Sequence, residues 1–108
     1  MWFVVPVLAL AIAAEVGATA VLPRTDGFTV PGWTLVVVLG YAVSAWLLAV
    51  LVRHLDVAIV YATWSGAGTA AIALVGVTLL GQKLDAVSVL AVLLIVAGVV
   101  VLNLRGAH

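Results

Sequence analysis

Long apolar runs separated by short polar joints make up almost the whole chain: residues 2–22, 33–52, 57–80 and 86–104. Each is about the 20 residues that carry an α-helix, at ~1.5 Å per residue, across a hydrocarbon layer ~30 Å thick. Pro23-Arg24-Thr25-Asp26-Gly27 breaks the first run, and Pro31-Gly32 opens the second with Trp33 at an interface position. Arg53-His54-Leu55-Asp56 joins the second run to the third, Gly81-Gln82-Lys83-Leu84-Asp85 joins the third to the fourth, and Arg105-Gly106-Ala107-His108 forms a tail. The pattern predicts an all-α membrane protein of four transmembrane helices. They form a single domain over residues 1–108, with no room for a soluble one.

Composition sharpens this. The 108 residues are 68% hydrophobic and 7% charged, against ~25% charged in a soluble domain, so no water-facing surface can be built. Four basic residues balance four acidic ones, which argues against a nucleic-acid partner and against a polybasic lipid-binding role. The absence of cysteine excludes disulfides and thiolate metal sites. The first run lacks a basic leader and a clear small-residue cleavage site, so it reads as a retained span.

With four spans, the N-terminus, second joint and tail share one side, carrying Arg53 and Arg105. The first and third joints share the other, carrying Arg24 and Lys83. Basic residues on the cytoplasmic side set orientation, and here the sides tie at two each. One outcome is an orientation set by the α-amino group or an insertase. The other is dual topology, with copies inserted both ways and pairing as an antiparallel dimer. Four short helices can hardly enclose a water-accessible chamber alone, which independently favours a dimer.

One charge interrupts the first run: Glu15. An ionisable side chain at the bilayer centre costs ~2.5–3.5 kcal/mol on insertion scales, so its presence marks a functional candidate. Leu8, Ala11, Ile12, Ala18, Thr19 and Leu22 share its helical face. Ala11 and Ala18 are expected to leave space beside the carboxyl, and Thr19 adds a hydroxyl. Glu15 is either a neutral residue bonding helices together or a site for protons and cations; Gln would serve as glue at lower cost, which favours the second.

The third run offers the aromatic partners. Tyr61, Trp64, Ser65 and Gly68 fall on one stripe, and aromatic faces attract cations by ~0.5–2 kcal/mol. Tyr61 and Trp64 could instead belong to an interfacial belt, although Trp64 lies deeper than a belt sits. Gly66 and Gly68 serve either close helix packing or a bend. In the second run Tyr41 and Ser44 share a face. In the fourth, Ala91 and Gly98 lie seven apart and mark a seam for a dimer interface. Asp56 reads as a helix cap, and His54 and His108 as solvated side chains.

Together these residues resemble the small multidrug resistance family of bacterial exporters. The likeness rests on Ala14-Glu15, on Asp26-Gly27-Phe28-Thr29, and on Tyr61-Ala62-Thr63-Trp64-Ser65-Gly66-Ala67-Gly68. It extends to Gly81-Gln82-Lys83-Leu84-Asp85 and Leu93-Leu94-Ile95-Val96-Ala97-Gly98-Val99, and so covers the whole chain. Tyr41, Trp46 and Trp64-Ser65-Gly66 resemble the quaternary-ammonium branch. The guanidinium branch has a Trp close after its glutamate, where this chain has Ala18, and a Trp-Thr-Gly in helix three.

The resemblance implies an antiparallel homodimer in the bacterial inner membrane, a secondary transporter and not an enzyme. It would exchange lipophilic or quaternary ammonium cations for protons at Glu15. The implied cation site adds Trp64, Tyr61, Tyr41, Ser44, Ser65 and Thr19, with no cofactor and the proton gradient as driving force. Alternatives are a guanidinium or polyamine exporter of the same fold, half of a paired heterodimer, or a non-transporting assembly or proton-relay subunit. The chain departs from the family pattern at Pro23 (usually Lys), Asp56 (usually Pro), Ala18 and Ala91 (both commonly Gly).

Overall fold

The computed structural model describes residues 2–106; His108 lies outside the described residues. The elements are α1 (Val4–Ala20), a 3-10 turn (Leu22–Thr25), α2 (Pro31–Leu51), α3 (Val57–Thr78) and α4 (Ala86–Gly106), with no strand among the described residues. Helices α2, α3 and α4 are each long and apolar enough to cross a membrane. The 17 residues of α1 reach ~26 Å, at the short end of what spans hydrocarbon. The protein is thus a multi-pass, all-α membrane protein.

The chain divides between His54 and Leu55 into two compact units, each a pair of helices. In the first, α1 and α2 run antiparallel, and they approach closely at Gly40. A Cβ at Gly40 would stand 2.9 Å from the Cβ of Ala18 and 3.2 Å from the Ala14 carbonyl oxygen, too close for any residue but glycine. One turn further along α2, the buried Ser44 donates its hydroxyl to the Ala11 carbonyl at 2.7 Å. At the open end of the pair, the rings of Phe3 and His54 meet edge to face, 5.1 Å apart.

Thr25 organises the joint between α1 and α2. It is buried, donates to the Leu22 carbonyl at 2.8 Å and accepts the Phe28 N–H at 3.2 Å, while its own carbonyl receives the N–H groups of Thr29 and Val30. These bonds hold Asp26, Gly27 and Phe28 in three successive left-handed conformations (φ 47°, 69° and 66°), of which Phe28 is the one sterically opposed. Pro31 then supplies the first residue of α2, where its missing N–H goes unneeded. The Arg24 guanidinium lies 5.1 Å from the centre of the Trp33 ring.

In the second unit α3 and α4 also run antiparallel. Gly66 is the contact glycine, since a methyl group there would overlap Cγ2 of Val99. Asn103 closes the seam, donating from Nδ2 to Thr63 Oγ1 at 2.7 Å and to the Val99 carbonyl at 2.9 Å. After α3, Gly81 turns left-handed (φ 70°), and the Leu80 and Gln82 N–H groups satisfy the Val75 and Gly76 carbonyls. Asp85 starts α4 by accepting the Ser88 N–H at 2.8 Å. Hydrogen bonding from Ser88 holds the Asp85 carboxyl below the usual aspartate range. Asp56 occupies the corresponding position before α3, where its carbonyl receives the Val60 N–H, but its side chain makes no capping bond.

Candidate functional site

Glu15 lies half-buried near the middle of the α1–α2 unit. Its Oε1 accepts the hydroxyl of Thr19, one turn further on, at 2.8 Å. Thr19 Oγ1 in turn stands 2.7 Å from the phenolic oxygen of Tyr41 on α2. A hydroxyl carries one hydrogen. With that of Thr19 committed to the carboxylate, the Tyr41 O–H must donate to Thr19. The result is a directed chain, Tyr41 to Thr19 to Glu15, that crosses from α2 to α1.

The choice Thr19 makes differs from that of the three threonines of α3. Thr63, Thr69 and Thr78 each donate to the backbone carbonyl four residues earlier, at 2.7 Å, the ordinary habit of a helical threonine. Thr19 donates instead to the carboxylate four residues earlier.

The register that makes this possible is set by neighbouring packing. Ala18 is 4% and Ala11 0% exposed. Both are filled from α2, by Gly40 and Ser44 respectively. The space expected beside the carboxyl at these two alanines is therefore occupied by helix contact. Ser44 sits on the same face of α2 as Tyr41, and the hydrogen bond it donates ties the helices together.

In the α3–α4 unit, Tyr61 and Trp64 pack as a tilted pair with ring centroids 5.7 Å apart. At ~100° per residue, Thr63 and Gly66, which meet α4, lie on the face opposite Tyr61, Trp64, Ser65 and Gly68. Helix α3 thus keeps its packing face and its aromatic stripe apart. Tyr61 is 62% exposed, Trp64 and Ser65 are half-buried, and Gly68 is buried. The helix continues unbroken through both glycines. On α4, Ala91 and Gly98 are exposed, and nothing lies within 4 Å of where a Gly98 side chain would begin.

A family profile described as Small Multidrug Resistance protein matches residues 1–95. The chain belongs to the small multidrug resistance family. Relatives include "Multidrug resistance protein mmr" of Mycolicibacterium paratuberculosis, 50% identical over 102 residues (94% of this chain, 95% of the relative). "Quaternary ammonium compound-resistance protein QacE" of Escherichia coli is 42% identical over 97 residues (90% and 88%). "Nicotine metabolites export pump subunit NepA" of Paenarthrobacter nicotinovorans is 43% identical over 103 residues (95% and 89%). This member of the family is accordingly a transporter of the bacterial inner membrane, not an enzyme.

Sequence reasoning did not single out Gly40, Thr25 or the Asn103–Thr63 bond. Gly40 had a signal, a lone glycine within a valine-rich span and directly before Tyr41. Asn103 had another, as the first polar side chain of α4 after Ser88. Thr19 was legible only as a spare hydroxyl near the carboxyl, because its link to Tyr41 depends on how α1 and α2 slide against each other.

Proposed function

We propose that the protein is a proton-coupled antiporter that exports lipophilic and quaternary ammonium cations across the inner membrane, with Glu15 binding either a proton or the cation. One observation carries this reading: the single carboxyl of α1 accepts the Thr19 hydroxyl at Oε1, which leaves Oε2 to meet the cation. Desolvation favours the neutral form of a carboxyl, and an adjacent cation favours the charged form. Proton and cation therefore exclude one another, and exchange follows from that exclusion. Tyr61 and Trp64 supply aromatic surface for the cation, and Ser65 adds a hydroxyl. Gly66 and Gly68 allow α3 to bend during exchange.

The name of the quaternary ammonium relative supports this substrate class over guanidinium or polyamines, as do Ala18 and Trp64-Ser65-Gly66. The tie in basic residues between the two sides supports dual topology and an antiparallel homodimer, with Ala91 and Gly98 in the seam between copies. The second reading is half of a pair, favoured by the relative whose name makes it a subunit of an export pump.

The test is a titration of the detergent-solubilised protein in weak buffer. Adding tetraphenylphosphonium should release protons from the native protein and none from Glu15→Gln. Proton-driven cation efflux by reconstituted Glu15→Gln would overturn the assignment.

A further inference from the structure

We propose that Thr19 is a positioning residue whose hydroxyl links the charge on Glu15 to the hydrogen-bonding state of Tyr41, so that α2 senses what α1 has bound. This rests on the exchange reading of Glu15 and adds the device that reports its occupancy. The geometry allows two polarities of one chain. With Glu15 ionised, Thr19 donates to Oε1 and Tyr41 donates to Thr19. When a hydronium ion gives its proton to Oε1 and leaves as water, the new O–H donates to Thr19 Oγ1. The Thr19 hydroxyl turns to donate to the Tyr41 oxygen, and the Tyr41 hydrogen is released to find another acceptor. The only bond made is that between the proton and Oε1, and both hydroxyls merely rotate. A cation at Oε2 preserves the first polarity; a proton installs the second. The Tyr41 hydrogen therefore points differently in the two loaded states, on a helix that packs tightly on α1 at the preceding residue, Gly40.

The surroundings leave the chain little competition. Helix α2 has no titratable side chain besides Tyr41, and the 3-10 turn contributes only Arg24, which lies over Trp33. Within α1 itself Glu15 is the sole ionisable side chain. The departure of Thr19 from the backbone habit of Thr63, Thr69 and Thr78 shows that its hydroxyl is held by the carboxylate.

Charge-assisted hydrogen bonds are roughly twice as strong as neutral ones, so the first polarity is the tighter and favours the ionised carboxyl. Removing the hydroxyl should then displace the pH profile of cation binding to higher pH. The experiment measures tetraphenylphosphonium binding to the full-length protein across pH for the native chain, Thr19→Val and Thr19→Ser. The expected result is a profile displaced to higher pH in Thr19→Val and restored in Thr19→Ser. A Thr19→Val profile that overlays the native one would overturn the proposal, while leaving the role of Glu15 intact.

Should Thr19→Val fail to fold, infrared difference spectra of the native protein decide. The phenol bands of Tyr41, identified by their loss in Tyr41→Phe, should change from hydrogen-bond donor to acceptor character on acidification. They should stay fixed in Glu15→Gln. Bands in the native protein that ignore pH would refute the link.

Discussion

A carboxyl within an apolar helix is useful for exchange only if one part of it is fixed and another is free. Glu15 meets both conditions, because Thr19 takes Oε1. The cost of placing a charge in hydrocarbon made Glu15 legible in the sequence, and the stripe containing Tyr61 and Trp64 was equally visible from helical periodicity. That Thr19 would lie beside the carboxyl was legible too, one helical turn on; that Tyr41 would meet Thr19 was not, since it depends on how α1 and α2 pack. The same packed register sends Ser44 to the Ala11 carbonyl. Trp64 carries the prediction at this scale. Its ring stacks near Tyr61, and losing its cation–π attraction should weaken binding of tetraphenylphosphonium about 2- to 30-fold in Trp64→Ala. Binding measured by calorimetry checks this, and an unchanged affinity would leave Trp64 a packing residue.

Between helices, small residues govern how the elements meet. The family commonly places glycine where this chain has Ala18, and the structure shows how the larger residue is accommodated: Gly40 lies across from it on α2. The pair divides one requirement for close approach between two positions, and sequence alone cannot reveal such a division without the register. Gly66 against Val99 performs the same service for α3 and α4. It follows that Gly40→Ala should push α1 from α2 and destabilise the protein by about 1–3 kcal/mol. Ala18→Gly in the same chain should recover most of that loss, because the missing methyl merely changes sides. Thermal unfolding in detergent, run as a double-mutant cycle, gives the coupling directly. Additive losses would mean that the two positions do not share a contact. Cation binding should follow the same order, since the Tyr41–Thr19 bond lies beside this contact.

At the scale of the whole molecule, the balance of charge becomes a statement about assembly. The four spans were legible because hydrocarbon imposes a length on any helix that crosses it. The side chains of α4 left exposed, such as Leu90, Leu94 and Val101, are equally suited to lipid and to a second copy, because lipid tails are as apolar as leucine. Orientation is the more discriminating property. Lys83→Ala leaves Arg53 and Arg105 facing Arg24 alone, and Arg105→Ser leaves Arg24 and Lys83 facing Arg53 alone. Each variant should favour one insertion, and the two should favour opposite ones. If the working unit is an antiparallel pair, either variant by itself should confer much less resistance to a quaternary ammonium compound than the native chain. Cells expressing both should recover it. Topology reporters fused to the C-terminus check the orientation, and growth in the compound checks the function. Full resistance from either variant, with its orientation shown to be uniform, would require a dimer of parallel copies or a chain that works alone.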